Sequence, residues 1–168
     1  MKKITVFAPN VRHGGGRILL LQILNELQNK NYIQNAYVSS NLKDELSGFK
    51  GIRFNNSNLF SRALAELRLY FNNYKNNKIL FFGNMPPAIK LKSHCILYLH
   101  NSLLLSKKNV YSFSIKTKIR LAFERLYLRI FIKNVDEIYV QTPKMLKELK
   151  NYNENLNIKL KPFLDNQK

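Results

Sequence analysis

Short apolar runs alternate with longer segments of helical periodicity along this chain. Ile4–Ala8 is a five-residue apolar run stopped by Pro9, the signature of a buried strand. Asn10–Gly16 reads as a loop. Arg17–Asn29 follows, with Leu20, Ile23, Leu24 and Leu27 at helical spacing. Ala36–Ser39 and Ile52–Phe54 are further short strands. Asn58–Tyr74 predicts a helix whose wide apolar face holds Leu59, Phe60, Ala63, Leu64, Leu67, Tyr70, Phe71 and Tyr74, with Ser57 or Asn58 as cap. Lys78–Phe82 is a strand ended by Gly83-Asn84 and the Pro86-Pro87 pair. Cys95–Leu99 is another, closed by His100-Asn101. Ile115–Lys133 predicts a long helix, Glu137–Gln141 a strand, and Pro143 the first turn of a helix over Lys144–Lys150. Ile158–Leu160 is a last short strand.

Strands this apolar, separated by helices, predict β-α-β units and a mostly parallel sheet covered on both faces. The expected fold is a Rossmann-like three-layer α/β domain. Ligands of such sheets bind beyond the carboxyl ends of the strands. The loops that matter are then Asn10–Gly16, Gly83–Pro87, His100–Asn101 and Gln141–Thr142. No internal repeat is visible, and no linker is long enough to separate two domains.

Charge sharpens the picture. The chain of 168 residues has 28 Lys+Arg against 10 Asp+Glu, a formal net charge of +18. The excess is spread evenly: +5 over residues 1–56, +7 over 57–112 and +6 over 113–168. A basic tail on a neutral domain is excluded. A polyanion, an anionic membrane or an acidic substrate is the expected partner. Part of the excess reflects a general richness in Lys and Asn. The 11 Phe and 9 Tyr lie mostly inside apolar runs and do not interleave with Gly and Arg, so a nucleic acid is not the favoured partner. One cysteine, Cys95, permits no internal disulfide, which fits a reducing compartment. The N-terminal apolar stretch is too short for a signal peptide, and no uncharged apolar run approaches the ~20 residues of a membrane span. A cytoplasmic chain, soluble or bound to a membrane surface, is expected.

The candidate chemistry lies at the strand ends. Gly14-Gly15-Gly16 follows the first strand and opens a helix. Its amides could cradle a phosphate, helped by the helix dipole and by Arg12, His13 or Arg17. The G-x-G-x-x-G and G-x-x-x-x-G-K-[ST] spacings are absent, so a ligand-free turn is the competing reading. His100 ends an inner strand, where it could meet a sugar hydroxyl or a reacting centre, or be a capping or core histidine. With three histidines and one cysteine, no metal site is expected. No pair of carboxylates is placed for glycoside hydrolysis, and there is no G-x-S-x-G elbow.

The helix Ile115–Lys133 carries two apolar stripes. Ile115, Ile119, Phe123, Leu126 and Ile130 are expected to pack on the sheet. Leu121, Leu128 and Ile132 lie roughly opposite, flanked by Lys118, Arg125, Arg129 and Lys133 and extended by Lys116 and Arg120. An exposed apolar stripe with a Lys/Arg border is the mark of an interfacial membrane helix. A partner domain covering the stripe is the alternative.

Several of these stretches, in this order, resemble the amino-terminal domain of group 1 (GT4-type, GT-B fold) glycosyltransferases of bacterial surface-polysaccharide pathways. They are Val6-Phe7-Ala8-Pro9 with Gly14-Gly15-Gly16-Arg17, Phe82-Gly83-Asn84-Met85-Pro86-Pro87, Leu97-Tyr98-Leu99-His100-Asn101, Val140-Gln141-Thr142-Pro143-Lys144-Met145 and Lys161-Pro162-Phe163-Leu164-Asp165. The resemblance implies an acceptor-binding Rossmann-like domain over residues 1–165. A nucleotide-sugar-binding domain would begin at the tail, 166–168, and is missing. By the same resemblance Gly14, Gly15, Gly16 and Arg17 lie near the donor diphosphate. His100 contacts the donor sugar or the reaction centre, and Arg12, Asn84, Asn101 and Thr142 sit on cleft-facing loops. Many members work on the cytoplasmic membrane face with lipid-linked acceptors.

The family's donor domain carries two glutamates eight positions apart; here they fall at 26, 45, 66, 124, 137, 148 and 154, and no pair has that spacing. The expectation is therefore the acceptor-side half of a glycosyltransferase for lipopolysaccharide, capsule or a similar polymer. It has no cofactor, takes a nucleotide sugar as donor substrate and a lipid-linked or saccharide acceptor, and is inactive alone. It is a fragment, a disrupted gene product or a split subunit served by a partner donor domain. The alternative is a non-catalytic basic module that docks a membrane or a partner.

Overall fold

A computed structural model describes residues 3–56, 58–72, 77–105 and 113–162. The chain is an α/β domain built on a single seven-stranded sheet with every pairing parallel. The strands are β1 (Ile4–Ala8), β2 (Ile33–Ser39), β3 (Ile52–Asn55), β4 (Lys78–Phe82), β5 (His94–Leu99), β6 (Glu137–Val140) and β7 (Ile158–Leu160). The helices are α1 (Gly14–Asn29), α2 (Leu59–Phe71), α3 (Ile115–Phe131) and α4 (Pro143–Tyr152). The expected Rossmann-like three-layer architecture is the one observed. The Tyr74 end of the expected α2, and Phe163–Asp165, lie outside the described residues.

The sheet order is β3-β2-β1-β4-β5-β6-β7. From β1 the chain moves outward to β2 and β3, then returns across the sheet to β4 and proceeds the other way. Right-handed crossovers therefore put α1 on one face and α2, α3 and α4 on the other. The clusters agree. Phe7, Phe81, Leu97, Leu99 and Val140 pack against Ala65 and Leu69 of α2, Leu121 and Leu128 of α3, and Met145 and Leu149 of α4. Val6, Ala8, Ala36 and Val38 pack against Leu20 and Leu24 of α1 and against Leu42 and Leu46. Toward β5–β7 that second face turns polar. His94 Nε2 lies 3.2 Å and Lys159 Nζ 3.0 Å from the Glu137 carboxylate.

Three expectations are corrected. The triple glycine is not loop: α1 starts at Gly14, so these residues form its first turn. In α2 the buried side chains are Arg62, Ala65, Glu66 and Leu69, while Phe60, Leu64, Leu67, Tyr70 and Phe71 are exposed. Charged residues are presumed to face water, but Arg62 and Glu66 neutralise each other at 2.8 Å and turn inward together.

In α3 the two stripes are exchanged. Leu121, Leu128 and Ile132, read as a membrane-facing stripe, are buried, whereas Ile115, Ile119, Phe123, Leu126 and Ile130 face outward. Polar anchors fix this rotation. Arg125, read as a membrane-facing cation, is half-buried and its Nη2 donates to Leu103 O at 2.7 Å. Just past the helix, Asn134 Nδ2 donates to Pro87 O and Ala88 O, each at 3.0 Å. Lys118 is half-buried, and Arg129 and Lys133 remain exposed.

Candidate functional site

The reversal of strand order between β1 and β4 leaves a crevice at their carboxyl ends, the usual ligand position of an open parallel sheet. A cleft of about 860 Å³ opens there. One wall is the β1–α1 loop, Asn10 to His13, continued by Gly15 and Gly16. Gly83, Asn84 and Met85 form the floor, and His100 and Asn101 close one side. The far wall is α3, through Arg120, Phe123 and Glu124, with Asn58 and Gln141 at the rim.

At the centre, an ideal Cβ on Gly16 would lie 2.9 Å from His100 Nε2. No side chain other than hydrogen fits there without moving the imidazole. The α1 N-terminus has no side-chain cap and no acidic residue in its first turn, so its first amides are donors for an anion. Gly83, at φ 121°, begins the turn away from β4, and Asn84 continues it at φ 68°. Asn84 is buried. Its Oδ1 accepts from His100 N at 2.9 Å and Asn101 N at 3.0 Å, and its Nδ2 lies 3.2 Å from His100 Nε2.

The His100 ring stacks on Phe82 at 5.2 Å between centroids, and Phe82 stacks on Tyr98 at 5.3 Å. Burial lowers the His100 pKa from the ordinary histidine value. Across the cleft, burial raises the Glu124 carboxyl, and Arg120, whose Nε is 3.7 Å away, draws it back down in part. Arg12 and Arg120 thus put two guanidinium groups on the cleft against the one carboxyl of Glu124.

The floor is a loop without regular structure, yet buried side chains hold its backbone. Arg62 Nη2 donates to Met85 O at 3.3 Å and Pro86 O at 3.2 Å. Glu66 Oε2 accepts from Ala88 N at 2.9 Å. Asn134 holds the next carbonyls, as described above. Asn10 Nδ2 reaches Met85 Sδ at 2.9 Å, tying the β1 loop to the same shelf. Sequence reading missed Arg62, Glu66 and Asn134 because each resembles an ordinary surface residue.

Among the expected site residues, Arg12, Gly15, Gly16, Asn84, His100 and Asn101 line the cleft. Gly14 does not. Arg17 is turned away and pairs with Glu45 at 2.7 Å, since one position past Gly16 the helix has rotated its side chain by about 100°, toward the segment after β2. Thr142 is exposed and caps α4, its hydroxyl accepting from Met145 N at 3.3 Å; Gln141 beside it lines the cleft instead. Asn101 also accepts from Leu103 N at 3.1 Å, fixing the turn that follows β5. Among the described residues no group of three or more His, Cys, Asp or Glu could hold a metal ion, and no helix is long and apolar enough to cross a membrane. Compared with known proteins, the chain matches no family model and no curated sequence.

Proposed function

We propose that the chain is the acceptor-side domain of a nucleotide-sugar-dependent glycosyltransferase of cell-surface polysaccharide synthesis. The observation that carries this reading is the contact of Gly16 with His100 in the basic cleft at the β1/β4 crevice. The stretches of resemblance support it. Gly14–Gly16, Phe82–Pro87, Leu97–Asn101 and Val140–Met145 fall at the carboxyl ends of four different strands and at the loops beyond them. In this reading the donor diphosphate lies against the Gly15 and Gly16 amides near Arg12. The sugar C1 lies by His100, and the acceptor enters past Asn101 and Arg120. The acceptor hydroxyl oxygen bonds to C1 as the C1–phosphate bond breaks, and its proton passes to the leaving nucleoside diphosphate. Donor binding rests mainly on a second domain or subunit, so this chain alone turns over no nucleotide sugar.

A second reading, a basic docking module, is favoured by the outer stripe of α3, which Lys116, Arg120, Arg129 and Lys133 border. Both readings accommodate a peripheral position on the inner face of the cell membrane. They separate when the isotopically labelled chain is titrated with uridine diphosphate. The transferase reading expects amide shifts at Gly15, Gly16 and His100, with weak saturable affinity. Shifts confined to Lys116–Lys133 would favour docking and remove the transferase assignment.

A further inference from the structure

We infer that Asn84 is a positioning residue that holds His100 as the neutral imidazole with its proton on Nδ1. The argument concerns this chain's own side chains and does not rest on the transferase reading. An Asn amide can face either way, but here the backbone decides. The side-chain oxygen takes both the His100 and Asn101 N–H groups, at 2.9 and 3.0 Å. Turning the amide over would set its NH2 against two donors. Nδ2 must therefore point at His100 Nε2, 3.2 Å away. An NH2 group only donates, so Nε2 presents its lone pair, and the ring proton sits on Nδ1. An imidazolium would oppose N–H to N–H.

Nothing nearby lets the ring escape this arrangement. Gly16 lies so close to Nε2 that a Cβ on it would sit 2.9 Å away, and Phe82 lies flat against the ring. Asn84 itself cannot drift, because its backbone is set at φ 68°, which Asn tolerates, and Arg62, Glu66 and Asn134 pin the loop beyond it. The charged and titratable groups lining the same cleft are Arg12 and His13 on the β1–α1 loop and Arg120 and Glu124 on α3. Glu124, the one carboxylate among them, is paired with Arg120 rather than with the ring. Nδ1 has no hydrogen-bond partner among the described residues, so no donor holds the ring in the opposite tautomer. His100 thus enters the cleft as a fixed, uncharged ring whose Nε2 carries no proton to give.

Nitrogen-15 NMR of the three histidines decides this, with the His100→Gln variant assigning the signal. The expected result is a single Nδ1–H tautomer for His100, with a titration midpoint below the ordinary value of about 6.5. Asn84→Asp keeps the acceptor and removes the donor; it should move the proton to Nε2 and raise the midpoint by about one unit, a tenfold gain in proton affinity. Asn84→Gly keeps the backbone relaxed and removes the amide; the signal should become a mixture of tautomers. An Nε2–H tautomer in the unsubstituted protein would overturn the inference even if no variant folds. So would an Asn84→Asp protein that is folded and titrates unchanged.

Discussion

A single methyl group at position 16 would test how tightly the centre of the cleft is packed. Gly16 needs no unusual backbone; it is a glycine for want of space, since a Cβ would sit 2.9 Å from His100 Nε2. Gly16→Ala should therefore destabilise the fold by about 1–3 kcal/mol, the usual cost of overpacking. Adding His100→Ala should recover much of that loss, a coupling readable by urea denaturation of the two single variants and the double. Costs that simply add would show that the ring and the glycine do not touch. The sequence displayed His100 as a candidate because it sits where a strand must end, and Gly16 because it belongs to a glycine run between a strand and a helix. It did not display the work of Asn84, which depends on a left-handed φ and on two amides converging on one oxygen. Nor did it show that Arg17 turns to Glu45, because one position along a helix rotates a side chain by about 100°.

At the scale of elements, periodicity located the strands and helices well but oriented α2 and α3 wrongly. In α2 the apolar residues outnumber the sites available against the sheet, and a neutralised pair, Arg62 with Glu66, takes the inner face to hold Met85, Pro86 and Ala88. Hydropathy cannot foresee a buried ion pair, because its partners each look hydrophilic alone. Both side chains are only 6% exposed, so removing one charge leaves the other stranded. Glu66→Gln should cost about 3–5 kcal/mol and loosen the floor of the cleft. Thermal denaturation and amide exchange at Met85 and Ala88 measure the two effects. A stability loss within about 0.5 kcal/mol, the range of ordinary surface changes, would remove the pair from this role. In α3 both stripes satisfy helical spacing, and the hydrogen bonds of Arg125 to Leu103 and of Asn134 to Pro87 and Ala88 go with the observed rotation.

For the molecule as a whole, the corrected α3 changes where a membrane would be met. Ile115 is 75% exposed and Ile119 65%, while Leu121 is 1%. With a net charge of +18 behind it, the outer stripe has the composition of a surface that binds anionic lipid. Vesicles with anionic headgroups should pull the protein down at low salt. Ile119→Glu with Leu126→Glu should weaken this at least about tenfold, as two side chains of ~1.5 kcal/mol or more are withdrawn from the bilayer. The double variant should keep its fold, whereas Leu121→Glu should not. Equal sedimentation of the double variant would free α3 of this role.

The sheet register sets a timetable for folding. Ile4 lies opposite Lys78 and Phe7 opposite Phe81, so the strands flanking the crevice come from distant parts of the chain. While the protein is being synthesised, β1, α1, β2 and β3 emerge with one edge of β1 unpaired, and that edge waits for β4. Parallel pairing over such a separation is slow to form, and the waiting apolar edge is open to wrong partners. The cleft is then among the last features to assemble, and a chaperone's interest in the nascent chain would centre on Val6–Ala8.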